Sequence, residues 1–330
     1  MFIKKGFLFI LASANFISFA QNHTYKVAST FHIKSAGGWD YIAVNAGKIY
    51  VSHGTQVNIL NEESGDSIGV IPNTNGVHGI AFNNALRRGY TSNGRANSVT
   101  VFDLNNNQVL DSVSTGENPD AIMYEPFTKS VITCNGRSKN LSVIDPSKNA
   151  VTHTIDVGGK PETAVSDGEG NLFVNIEDRN EIVRVSLKDF KLTGRWSISP
   201  GDGPTGLAYD AKTKRLFAGC EKLLIVMNAT NGKIVKQVPI GAGCDGVAFD
   251  QVKKLIYTSN GEGTLTVIKE TSGDAYTVEG NYPTKRGART IAIDQTNGKL
   301  FLPTADFDLT QTQNGRPKMV PGSFQVLVIE

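Results

Sequence analysis

Short apolar bursts, each bounded by Gly, Asn, Asp, Ser or Thr, run along almost the whole chain and return with a fixed period. The segments Val77-His78-Gly79-Ile80-Ala81-Phe82, Pro119-Asp120-Ala121-Ile122-Met123-Tyr124, Pro161-Glu162-Thr163-Ala164-Val165, Pro204-Thr205-Gly206-Leu207-Ala208-Tyr209, Cys244-Asp245-Gly246-Val247-Ala248-Phe249 and Ala288-Arg289-Thr290-Ile291-Ala292-Ile293 recur about every 42 residues. In the copy that opens at Cys244, four strands are predicted at Gly246 to Phe249, Leu255 to Ser259, Thr264 to Ile268 and Tyr276 to Glu279. Turn residues separate them: Asp250-Gln251, Asn260-Gly261 and Ser272-Gly273-Asp274. Beyond the first residues, no stretch has the three-to-four-residue apolar spacing of an amphipathic helix.

Four short strands per repeat predict an all-β chain and a propeller blade. A slightly degenerate copy begins at Trp39-Asp40-Tyr41-Ile42-Ala43-Val44, which brings the number of first strands to seven. The last copy supplies Lys299 to Leu302 and Phe324 to Ile329 and then lacks an outermost strand, while Tyr25 to Ile33 is a strand without a blade. The expectation is a seven-bladed β-propeller of four-stranded blades, closed by the N-terminal strand completing the last blade, which removes an exposed edge. One segment breaks the rhythm: Thr304 to Ser323, rich in Gln, Asn, Pro and Gly, reads as a long patternless loop, either a functional insertion or a mobile one.

The start of the chain changes the picture of address. Lys4 and Lys5 precede the apolar run Phe7 to Leu11, and Ser18-Phe19-Ala20 closes it, so residues 1–20 are expected to be a secretory signal and 21–330 a single propeller domain. The protein is then exported, periplasmic or secreted, and the apolar run is too short to span a bilayer. Removing both lysines balances the 33 basic against the 31 acidic residues, which disfavours nucleic acid and anionic membranes as partners. Three cysteines allow one disulfide, between Cys220 and Cys244 on adjacent blades, with Cys134 left as a small buried hydrophobe.

In the second-strand segments stand Tyr90-Thr91-Ser92-Asn93, Ile132-Thr133-Cys134-Asn135 and Tyr257-Thr258-Ser259-Asn260, each followed by Gly; Val99-Thr100-Val101-Phe102-Asp103 and Leu141-Ser142-Val143-Ile144-Asp145 trail the first two. Together they resemble the YVTN repeats of bacterial YncE-like seven-bladed propellers, over essentially the whole mature chain. The resemblance implies the fold and a monomer. Similar propellers include periplasmic YncE-like proteins, some thought to bind single-stranded DNA, and lactonases of the phosphogluconolactonase type. Amine dehydrogenases and nitrite reductases share only the fold, since this chain holds no Cys-x-x-Cys-His site.

In such a ring the first strands line the axis, and the residue before the small residue of each should reach one channel mouth. These are Asp40, His78, Asp120, Glu162, Thr205, Asp245 and Arg289. They fill a polar, watery channel, or they form a site in which a divalent cation on Asp120, Glu162 and Asp245, with His78, offsets the crowded carboxylates. Arg95, Arg137 and Arg179, spaced 42 residues apart in the second-to-third-strand loops, are either solubilising residues or contacts for a small anionic ligand such as a sugar acid or its lactone. His53 reads as a turn cap, and Trp39 and Trp196 carry no pattern. Asp103, Asp145, Asp210, Asp250 and Asp294 read as turn residues. Three functions stay open: a binding protein presenting one mouth to a small molecule or protein without turnover; a lactonase-like hydrolase, its carboxylates activating a nucleophile and Arg289 or His78 stabilising the oxyanion; and a scaffold acting through the long loop.

Overall fold

The computed structural model describes residues 24–35, 37–313 and 315–330; the expected signal at 1–20 lies outside them. Seven antiparallel sheets of four strands form a ring. Their inner strands are Trp39–Asn45, Val77–Asn83, Pro119–Glu125, Pro161–Ser166, Leu207–Asp210, Cys244–Asp250 and Ala292–Ile293, for blades 1 to 7. The seventh sheet is completed on its outside by Val27–His32, paired antiparallel to Gln325–Ile329, with Lys26 and Glu330 exchanging backbone hydrogen bonds of 3.0 and 3.1 Å.

The alternation that predicts the strands also explains the packing. A strand in a sheet covered on both faces is apolar on both, and the second and third strands of each blade are almost wholly buried. Seven apolar clusters result, one at each interface between neighbouring blades. The outer strands are exposed along most of their length.

The Thr-x-Asn ending of the tetrads is a buried polar clasp. Asn93 accepts from Thr91 Oγ1 at 2.9 Å and donates to Thr100 Oγ1 at 2.8 Å on the next strand. Asn135 does the same with Thr133 and Ser142, and Asn260 with Thr258, Thr264 and Thr266. Each amide is buried and satisfied, so the network joins second and third strands where a wholly apolar pair would leave register loose. Replacing Asn260 by Ala strands Thr258, Thr264 and Thr266 without their shared partner, and should cost about 1–3 kcal/mol, read from chemical denaturation. An unchanged denaturation midpoint would show the clasp to be inert.

Three expectations are corrected or refined. The 304–323 segment is not a patternless loop: Phe307–Gln313 and Arg316–Met319 pair as a hairpin that leans on the ring, with Phe307 6.0 Å from Trp39 and Asp306 ion-paired to Lys285. Cys220 and Cys244 do not form a disulfide; both are buried free thiols whose Sγ atoms turn to the carbonyls of Ala218 and Gly246, and Cys134 is buried as expected. His53 does more than cap a turn. It is fully buried, stacks on Phe324 at 4.1 Å, and reaches Ser35 Oγ at 2.5 Å and the Gly37 carbonyl at 2.9 Å, pinning the passage from the closing strand into blade 1. The five aspartates do accept backbone N–H groups of the turns that follow them.

Candidate functional site

The sequence puts one polar residue at the mouth end of each inner strand, and the backbone there is irregular in a recurrent way. Register shifts fall between Trp39 and Ile42, Val77 and Ile80, Pro119 and Ile122, Pro161 and Ala164, and Cys244 and Gly246. Asp40, His78, Asp120, Glu162 and Asp245 therefore all sit in β-bulges, which free the side chain from the strand's alternation and re-aim it. Two places before the ring residue the chain turns through a left-handed residue in five blades: Gly76, Asn118, Gly203, Gly243 and Gly287. In blade 4 the left-handed residue comes earlier, at Gly158, which leaves Lys160 free to stand at that offset.

Hydroxyl and amide groups then tie Asp40, Asp120, Thr205 and Arg289 to a neighbouring blade. Ser92 Oγ donates to the Asp120 carbonyl, Asn175 Nδ2 to that of Thr205 at 3.0 Å, and Ser259 Oγ to that of Arg289 at 2.5 Å. These donors occupy the third place of the tetrad. Where that place holds Gly219 or Pro303, the donor is a threonine just before the inner strand: Thr205 Oγ1 reaches the Cys244 carbonyl at 2.9 Å and Thr290 Oγ1 the Asp40 carbonyl at 2.6 Å. Thr205 thus spends its hydroxyl on the scaffold. Cys134 fills the same place in blade 3 without a hydrogen bond among the described residues.

The ring converges, in three groups. His78 Nδ1 lies 2.6 Å from Asp40 Oδ2 and 3.8 Å from Asp120 Oδ1. Glu162 is bound by Lys160 at 2.5 Å, and the same ammonium holds Glu177. Asp245 is bound by Arg289 Nε at 3.0 Å, with the guanidinium also 3.7 Å from Asp40 Oδ1. The four residues expected to share a cation are therefore divided: Glu162 and Asp245 each have a resident counter-ion, while Asp40 joins His78 and Asp120.

Electrostatics follow from this crowding. Burial pushes the Asp120 carboxyl up to about 6, His78 and Lys160 drawing it down and Asp40 and Asp245 pushing it further up. Glu162 is raised by burial and by Asp120, against the pull of Lys160. Asp245 is raised by burial against Arg289. Burial opposes charge on His78, but the Asp40 hydrogen bond and the field of Asp120 and Asp40 outweigh it and its pKa rises. Tyr41, whose ring packs against the cluster between blades 3 and 4, is pushed far up by burial and then by Asp120, Glu162, Asp40 and Asp245.

Two cavities meet at this ring. The inner one, about 210 Å³, is the channel itself, lined by Tyr41, Ile80, Ile122, Met123, Cys134, Val247 and Ile291. The outer one, about 730 Å³, opens above Thr205, Asp245 and Arg289 and is walled by Trp39, Phe307 and Pro317 on the hairpin side and by Glu177, Asp202 and Glu221 on the other, with Arg286 between. Arg95, Arg137 and Arg179 are exposed and line neither cavity. Sequence reasoning missed Lys160, Glu177, Tyr41 and Arg286. The signal for Lys160 was present: it is the one cation at an offset that otherwise holds Gly or Asn.

These features define a seven-bladed β-propeller with a charged, bulge-built channel mouth and a hairpin beside it. No family model and no curated protein matches the sequence. Among solved structures, 1739 chains match, so the likeness is to a widespread scaffold and carries no chemistry. One is a chain of Kuenenia stuttgartiensis hydrazine synthase, superposing with a TM-score of 0.72 at 14% identity over 82% of this chain and 94% of that one. At that identity the similarity shows the fold alone. Among the described residues, no helix is long and apolar enough to cross a membrane.

Proposed function

We propose that the protein is an exported YVTN-type, YncE-like propeller that binds a small polar molecule in the outer mouth cavity without converting it. The observation that carries this is the cavity of about 730 Å³, within the size range of small-molecule sites, with side chains of both charges and two aromatic rings converging on it. The wall chemistry modifies the expected ligand. Four carboxylates and two guanidinium groups, in place of three arginines, suit a polyhydroxylated or zwitterionic molecule better than a simple anion, with Trp39 and Phe307 offering an apolar face.

Calorimetric titration with sugar acids, their lactones, polyols and amino acids tests this. At least one should bind, quench Trp39 fluorescence, and lose affinity by about tenfold or more in Arg289→Ala, because removing one charged partner of a polar ligand costs about 1.5–3 kcal/mol. Trp39→Phe should abolish the optical signal. Absence of binding across the panel would turn attention to a protein partner at the same mouth. Steady lactone hydrolysis would instead establish the hydrolase reading, in which the mouth carboxylates activate the nucleophile and Arg289 or His78 stabilises the oxyanion.

A further inference from the structure

We propose that Asp40, His78 and Asp120 form a site for one divalent transition-metal ion of the zinc or manganese type, at the throat where the outer cavity narrows into the channel. The inference rests on the reading of the mouth as a binding site only for its location. One donor atom from each residue lies within 4.8 Å of the other two, and the two separations from His78 Nδ1, 2.6 and 3.8 Å, straddle the spacing of two ligands on one ion. A tetrahedral ion with bonds of about 2.0–2.1 Å separates its ligands by about 3.3 Å.

Three further observations distinguish this trio from an ordinary cluster of charged groups. Within it, Asp120 has no Lys or Arg at ion-pair distance among the described residues: Lys160 is taken by Glu162 and Glu177, and Arg289 is shared between Asp245 at 3.0 Å and Asp40 Oδ1 at 3.7 Å, leaving Asp40 Oδ2 to His78. The Asp120 carboxylate, only 13% exposed, makes no side-chain hydrogen bond among the described residues although it faces the axis. The backbones of the two aspartates are fixed in advance: Ser52 Oγ accepts from the Asp40 N–H at 3.1 Å, Thr290 holds the Asp40 carbonyl, and Ser92 the Asp120 carbonyl. Donors held in place before the ion arrives are what an affinity site requires.

One imidazole nitrogen and two carboxylates favour a borderline ion over calcium, which takes six to eight oxygens. On binding, the ion replaces the proton between His78 and Asp40. With three protein ligands a coordination position stays open, where a hydroxyl or carboxylate of a bound molecule can complete the shell.

The test uses the full mature chain stripped with a chelator, then titrated with zinc chloride and manganese chloride by calorimetry, with metal content measured after gel filtration. One zinc or manganese ion per chain is expected, with affinity weakened about tenfold or more in Asp120→Asn and in His78→Gln, and unchanged in His153→Gln, an exposed histidine on an outer strand. Circular dichroism and thermal melts confirm that each variant is folded. Should His78→Gln fail to fold, Asp120→Asn carries the comparison, since its side chain anchors nothing. Less than a tenth of an ion retained, equal retention by Asp120→Asn, or calcium displacing zinc at equal concentration would each overturn the proposal. No organic ligand is present in the experiment, so its outcome is independent of whether the cavity binds one.

Discussion

A chain shortened to begin at Lys34 is expected to lose most of its stability and to associate. The strand Val27–His32 with its flanks ties down both interfaces of the last blade: Phe31 and Ile33 belong to the cluster between blades 7 and 1, and Tyr25 to the one between blades 6 and 7. There Tyr25 meets Tyr257 edge-on at 5.5 Å and shares a hydroxyl hydrogen bond of 2.8 Å. Burying these three side chains contributes roughly 5–9 kcal/mol at about 1.5–3 kcal/mol each. That is comparable to the whole stability of a typical domain, about 5–15 kcal/mol. The shortened chain would also uncover the edge of Gln325–Ile329, an apolar strand with unpaired backbone groups, which is a template for association. The milder Phe31→Ala should cost about 3 kcal/mol or more. Calorimetry and size-exclusion chromatography read both effects. A shortened chain that stays monomeric and melts within a few degrees of the intact one would show that closure is incidental.

In chelator-containing buffer, the melting temperature should fall from about pH 4 to pH 7, and Asp120→Asn should remove the part of that fall that lies below about pH 6. Asp120 has a folded-state pKa of about 6, raised above its unfolded value, so its contribution is present in acid, below the unfolded pKa, and is lost as pH rises through 6. A shift of about two units corresponds to at most about 3 kcal/mol. The groups facing Asp120 act in the same sense. Glu162 and Asp245 are raised by burial, and His78, raised by its carboxylate partners, loses its stabilising charge as pH climbs through its folded value. On the acid side the opposite holds: Asp145, Asp178, Asp210 and Asp294 have lowered pKa values through backbone and side-chain donors, and their contribution disappears as pH falls. Stability should therefore peak in mild acid. A profile that is flat or rising from about pH 4 to 7, or a variant with the same slope as the parent below about pH 6, would refute the electrostatic account of the mouth.

Most of the architecture was legible because a blade is specified locally. Alternation, turn residues and the tetrads act within one repeat, and the closing strand could be placed by asking which blade lacked one. The ring positions were legible for the same reason, since equivalent places in a repeat become neighbours in a closed array. The division of the ring into paired groups was not, because whether Glu162 or Asp40 has a counter-ion depends on where the tip of Lys160 or Arg289 comes to rest. The bulges were invisible too: one extra residue opposite a partner strand leaves the apolar pattern unchanged. The disulfide expectation failed because facing one side of adjacent blades does not bring two sulfurs into bonding geometry. The hairpin at 307–319 was missed for want of alternation, although Asn314-Gly315 is a turn pair that could have marked it.

The bulges also have an evolutionary implication. At Asp40, His78, Asp120, Glu162 and Asp245 the ladder does not dictate the identity of the side chain, because a bulge releases it from cross-strand pairing. Those five letters can be rewritten by point substitution while the ring still assembles, so a family of such chains could diversify what it recognises without renegotiating how it folds.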